Sequence, residues 1–122
     1  MSMNYDDIAR NLIKREAREH KRIERRLKSA EEELKKLLAG FLEIDPGLRK
    51  VILFGSLARE AVKSVNFDID LAVQCSGDKF LRLIASTLDS DFKVDVVDLD
   101  SVDHTFRHFI LKEGKILYEQ RQ

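Results

Sequence analysis

An α/β domain, with a small mixed sheet flanked by helices and a long helix ahead of it, is the fold class this sequence predicts. Three observations carry it. Residues 5 to about 43 hold no proline and a single glycine, Gly40, and are rich in Ala, Leu, Glu, Lys and Arg, which cost a helix least. Asp45-Pro46-Gly47 then breaks the chain, because Pro fixes φ and Gly supplies the freedom a tight reversal needs. After it, short runs rich in β-branched residues alternate with helical patterns.

In the first helix, Ile23, Leu27, Ala30, Leu34, Leu37 and Phe41 recur in steps of three and four, which places them on one stripe. Carried backwards, that line meets His20, Glu16 and Ile13, so it weakens toward the start. The second half is expected to pack on the domain and the first half to project. At ~1.5 Å per residue the helix reaches roughly 60 Å, more than a domain this size is wide, so it needs a partner or a bend. This divides the chain into a helical extension, 1–30, and a domain, 31–122.

Strands are predicted at 50–54, 67–73 and 93–99, and a helix at 78–88 with Phe80, Leu81, Leu83, Ile84 and Leu88 as its apolar face. Ser101 is placed to cap a further helix that Gly114 ends, and residues 115–118 read as a short edge strand. A short helix, 57–62, follows the first strand.

Composition narrows the function classes. With 22 basic and 22 acidic residues in 122, no global field points to nucleic acid or membrane, and 43% hydrophobic residues exclude a disordered chain. One cysteine, Cys75, excludes an internal disulfide, and its place at the end of an apolar strand makes it a packing residue. The start of the chain lacks the basic and apolar regions of a signal peptide, and the expected compartment is the cytoplasm.

The chemistry gathers in residues 55–73. Asp68 and Asp70, two apart in a strand, share one face, while Phe67, Ile69, Leu71 and Val73 share the other. Two like charges ~4 Å apart at an effective dielectric near 20 repel by about 4 kcal/mol, a penalty that a divalent cation removes. Oxygen ligands without Cys or His suit Mg²⁺ or Mn²⁺. Gly55-Ser56, where a strand gives way to a helix, offers backbone N–H groups to an anion, and Arg59 lies one turn on as a fork of donors. Phosphate grip and metal carboxylates from neighbouring segments are the chemistry of a metal-bound nucleoside triphosphate. For a third acid, residues 93–100 offer Asp95, Asp98 and Asp100, and pleating lets only one set face the site. Asp95 is preferred because it sits mid-strand, where an unpaired acid is costly, whereas Asp98 and Asp100 approach a loop.

This set of motifs resembles the minimal nucleotidyltransferases (MNT) of the DNA polymerase beta superfamily: Gly55-Ser56 after an apolar strand, Ala58-Arg59, Asp68-Ile69-Asp70-Leu71, and Val94-Asp95-Val96-Val97-Asp98. The resemblance spans residues 34–119. It implies the nucleotidyltransferase fold and Mg²⁺-dependent transfer of a nucleoside monophosphate, AMP from ATP, to a hydroxyl. Many small prokaryotic members are antitoxins of HEPN-type toxins, and the acceptor implied for that group is a tyrosine of the toxin. By the same resemblance Gly55, Ser56 and Arg59 hold the triphosphate, Asp68 and Asp70 bind metal, and Asp95 joins them and helps ionise the attacking hydroxyl. Two positions depart from the pattern: Glu60 stands where Gly is usual, and Phe67 where Ser is common. Glu60 adds a charge and a Cβ near the triphosphate loop.

Plainer readings stand beside these. Because of Glu60, a module that keeps the fold and neutralises a partner by contact alone is the alternative to the enzyme. His104 and His108 are four apart on a helix but lack a third ligand, which makes them surface or packing residues. The basic stretch 14–26 fits a solvated helix laced with ion pairs as well as it fits an RNA contact. The arm is expected to make protein contacts, with a homo-oligomer through the N-terminal helix among them.

Overall fold

The computed structural model describes residues 4–121. Its elements run α1 (Tyr5–Ile44), β1 (Lys50–Phe54), α2 (Gly55–Ala58), β2 (Ile69–Gln74), α3 (Phe80–Ser86), β3 (Val94–Asp98), α4 (His104–Glu113) and β4 (Lys115–Glu119). The four strands form one mixed sheet ordered β3-β2-β1-β4. β1 pairs antiparallel with β2 and β4, and β2 pairs parallel with β3. The edge position expected for the last strand is the one it takes.

Strand pleating sorts the core. Val51, Leu53, Ile69, Leu71 and Val73 face one way and pack with Ala30, Leu37 and Phe41 of α1 and Leu83 of α3. Ile52, Phe54 and Ala72 face the other way, under Ile110 and Phe106 of α4. Both sheet faces therefore carry helices. α4 covers part of the face that bears the acids.

α1 is a single unbroken helix of 40 residues, started by Asn4, whose side chain accepts from the Asp7 amide at 2.9 Å. No break interrupts it. From Tyr5 to Arg18 every residue is exposed, whereas Ala30 is 1% exposed. Packing begins near Arg26, whose guanidinium lies 3.6 Å over the Phe92 ring and donates to the Asp91 carbonyl at 3.0 Å. At its other end the Asp45 carboxylate is buried at 2% exposure and accepts from the amides of Gly47 and Ser76 and the Ser76 hydroxyl. The helix terminus is thereby tied to the loop after β2, and the desolvated charge is satisfied.

Three local expectations shift. α2 begins at Gly55 and ends at Ala58 instead of spanning 57–62. β2 starts at Ile69, so Phe67 and Asp68 precede the strand that was expected to include them. The cap of α4 is Asp103, which accepts from the Phe106 amide at 2.8 Å, because Ser101 is already engaged in a turn by donating to Asp98 at 2.8 Å.

Candidate active site

The parallel register sets Asp70 opposite Asp95, and the antiparallel one sets Asp70 opposite Phe54. Cross-strand partners point to the same face, so the two carboxylates meet side by side at the end of the sheet. Burial pushes the Asp70 carboxyl above its ordinary value, the charges of Asp95 and then Asp68 push it further, and a hydrogen bond with Asp95 adds to the rise. Lys93 pulls the other way. Asp70 is thus held toward its protonated form and bonded to Asp95. Asp68, just before the strand, lies 3.8 Å from Lys93 Nζ, in a contact open to solvent.

Among the described residues no three His, Cys, Asp or Glu side chains stand together as a ready metal cluster. The structure brings Asp70 and Asp95 together and leaves Asp68 beside them, turned to Lys93. Asp98 and Asp100 go elsewhere. Asp98 pairs in register with Val73, on the opposite face, and closes a turn by accepting from Ser101 and the Asp100 amide. Asp100 accepts from Gln74 and Arg107. Both acids are consumed in holding the loop after β3.

Gly55 comes against Asp70. Its φ is +80°, and a Cβ built there would land on Asp70 Oδ2, with Cγ 3.2 Å away. Only glycine permits this approach of the α2 turn to the acid. A cleft of about 270 Å³ opens beside them, lined by Ser56, Lys63, Ser64, Asn66, Phe67, Asp68 and Asp70 among others, with Gly55 and Asp95 just outside its lining. Lys63, Ser64 and Asn66 were missed in the sequence, since a polar loop without motif spacing carries no signal before folding brings it to the wall. Arg59 is exposed and does not line the cleft.

Glu60 takes the position that closes α2. The Ala61 amide donates to the Ser56 carbonyl at 2.9 Å and the Glu60 amide to the Leu57 carbonyl at 3.3 Å, the paired bonds of a Schellman ending. Such an ending needs a left-handed residue, and Glu60 supplies it with φ +55°. Glycine takes this conformation without strain, which accounts for the glycine usual at this position and leaves Glu60 strained. The Glu60 side chain points away from the cleft and meets Lys115 Nζ at 3.2 Å. Glu60→Gly is therefore expected to raise unfolding free energy by up to about 1 kcal/mol, strain relief outweighing an exposed ion pair. Denaturant titration of both proteins measures it, and a loss of stability would contradict the strain.

A family model described as polymerase beta, nucleotidyltransferase matches residues 32–122. The chain belongs to this family. The nucleotidyltransferase is similar to the protein adenylyltransferase MntA of Aphanizomenon flos-aquae, with 30% identity over 104 residues that cover 72% of this chain and 68% of that one. Among solved structures it is similar to a toxin–antitoxin crystallised with AMP-PNP, at TM-score 0.53 and 31% identity, covering 70% of this chain and 73% of that one. It is also similar to the toxin–antitoxin MntA-HepT, at TM-score 0.50 and 29% identity, covering 76% and 73%.

Among the described residues no helix is long and apolar enough to cross a membrane. Cys75 packs half-buried against the core, and burial first, with Asp98, Asp45, Asp100 and Asp78 behind it, pushes its thiol pKa up. A thiol so disposed is a poor nucleophile. His104 and His108 are both exposed.

Proposed function

We propose that this nucleotidyltransferase moves AMP from ATP to a hydroxyl, and that the acceptor is a tyrosine of a HEPN-type toxin that it restrains as an antitoxin. One observation carries the reading: Asp70 and Asp95, paired across parallel strands, abut the Gly55-Ser56 turn in a chain whose relatives include an adenylyltransferase.

Asp68, Asp70 and Asp95 would hold Mg²⁺ or Mn²⁺. The fit is chemical. Every donor is a carboxylate oxygen, and the crowding of negative charge that raises the Asp70 pKa, from burial and then from Asp95 and Asp68, marks where a hard cation would be favoured. The Lys93 contact of Asp68 is long and exposed, and so exchanges at little cost. When bound, the metal supplies charge neutralisation for the entering oxygen and the departing pyrophosphate.

The chain's own groups do the rest. Backbone amides at Gly55 and Ser56, the Ser56 hydroxyl and Lys63 grip the triphosphate, and Arg59 reaches it from outside the cleft wall. The acceptor oxygen attacks the α-phosphorus in line, forming one O–P bond as the bond to the bridging oxygen breaks. Its proton passes to the Asp95 carboxylate. Pyrophosphate leaves with the negative charge. Glu60, the feature that favoured a contact-only module, lies outside the cleft and gives that reading no support.

The test is to incubate the protein with MgATP and the HEPN-type protein encoded beside it. One or more AMP masses on a tyrosine, with pyrophosphate released, is the expected result. A stable complex in which neither protein gains mass would leave contact as the mode of action.

A further inference from the structure

Beside the cleft lies a second hollow, of about 420 Å³, lined by Arg22, Arg25, Arg26 and Ser29 of α1 and by Val65 and Asn66 of the loop after α2. Residues 22, 25, 26 and 29 share one helix face by their spacing, so the sequence itself sets three guanidinium groups toward one place. Asn66 lines both spaces, which makes them neighbours across that residue. Among the described residues no acidic side chain lines the basic hollow. Arg26 is fixed flat on Phe92 and uses one donor on the Asp91 carbonyl, so its other N–H groups are held ready with little rotamer freedom left to lose. Arg22 shares an exposed contact of 3.0 Å with Glu19, which gives way easily. Among the described residues the side chains of Arg25, Ser29 and Asn66 have no polar partner. An anion is what this set of donors lacks.

We propose that this hollow docks the acceptor protein, by taking carboxylates of an acidic segment next to the hydroxyl that is modified. The proposal rests on the transfer reading for there being such an acceptor. Position supports it, because a chain whose hydroxyl reaches the acids of the cleft has its neighbouring residues across Asn66 from them. Charge selects a short acidic peptide over a nucleic acid. The positive ground ends on two sides: Glu31, Glu32 and Glu33 follow Ser29 along α1, and Asp68 and Asp70 lie beyond Asn66. Outward along the arm, Glu16, Glu19 and Glu24 interrupt the basic side chains. A phosphate backbone carries charge at every nucleotide and would meet carboxylates whichever way it ran. A few acidic side chains can end where the hollow ends. All three arginines precede residue 32, where the family match begins, so the contact belongs to the long helix of this chain and gives that extension a part in choosing the acceptor.

Two readouts on the full-length protein test it. In the first, AMP transfer to the HEPN-type protein encoded beside this chain is followed while acceptor and ATP are varied separately. Arg22→Glu with Arg25→Glu, both at exposed positions, should raise the acceptor KM about 30-fold and leave kcat and the KM for ATP unchanged. Arg22→Lys with Arg25→Lys should keep most of the affinity, since the charge remains. The second readout needs no transfer: fluorescence anisotropy, at low ionic strength, of a labelled peptide in which a tyrosine is flanked by glutamates. The wild type should bind it and ignore a lysine-flanked counterpart, and the glutamate variant should lose it. Peptide capture by a wild type that transfers no AMP would sink the transfer reading and still uphold the hollow as an acidic-peptide site. An equal acceptor KM in wild type and glutamate variant, a rise in the KM for ATP instead, capture of the lysine-flanked peptide, or a single-stranded RNA that binds through the same two arginines more tightly than the acidic peptide would each overturn the proposal.

Discussion

Asp70→Asn is expected to reduce AMP transfer by about 1000-fold while making the protein more stable. The two effects share one cause. Asp70 is the carboxyl that the fold holds against its inclination to ionise, by burial and by Asp95 and Asp68 beside it. Its pKa lies above the ordinary 3.8, so between that value and the raised one the native state binds more protons than the unfolded chain. Stability therefore falls as pH rises through that window, and at neutral pH the ionised group is a standing cost. Asparagine removes the charge at nearly constant shape and should return on the order of 1 kcal/mol, about 4 °C in Tm. The substituted protein should also lose the stretch of falling stability above pH 3.8. Saturating MgATP should raise the Tm of the wild type and leave that of Asp70→Asn unmoved. Full activity in the variant, or a lower Tm at neutral pH, would remove Asp70 from the role assigned to it.

Gly55→Ala should cost about 3 kcal/mol and lower Tm by roughly 10 °C. At φ +80° a side chain is strained before any contact is considered, and here the Cβ would coincide with a carboxylate oxygen of Asp70. Either the α2 turn or the acid must give way, and both belong to the cleft, so transfer should fall to background as well. Gly77→Ala is the matched control. Nothing lies within 4 Å of a Cβ there, and its effect should stay within about 0.5 kcal/mol. Calorimetry on the pair reads the difference, and equal Tm values would mean that the close approach of Gly55 to Asp70 carries no energetic weight.

The sequence made β2 and Asp70 legible because both are written in period two. Alternation in residues 67–73 named the buried face of Ile69, Leu71 and Val73 and set Asp70 on the other, whereas 50–54 is a continuous apolar run without alternation and Asp68 precedes the strand. Choosing Asp95 over Asp98 needed only its mid-strand position, and the register with Asp70 agrees. The extent of α1 was legible from composition, since between residues 5 and 43 there is no proline and only Gly40 disfavours helix. Less visible was whatever depends on tertiary approach. The burial of Asp45 depends on Ser76, thirty-one residues away. The true cap of α4 depends on Ser101 being taken by Asp98. Arg59 looked placed for phosphate by spacing, but α2 ends one turn sooner than its pattern suggests and leaves Arg59 outside, while Lys63 comes to the wall. Glu60 read as a flaw beside the triphosphate, because a left-handed turn cannot be told from a helical one when the residue is not glycine.

The parallel alignment of β2 with β3 has one more implication. These strands are not joined by a tight hairpin; about twenty residues, α3 among them, intervene before they can meet. Sliding β3 by a single position would send Asp95 to the far side and leave a valine next to Asp70. Turnover thus doubles as a gauge of correct strand alignment: a preparation that transfers nucleotide has brought β3 into register beside β2, and the fraction of active molecules counts those that folded true.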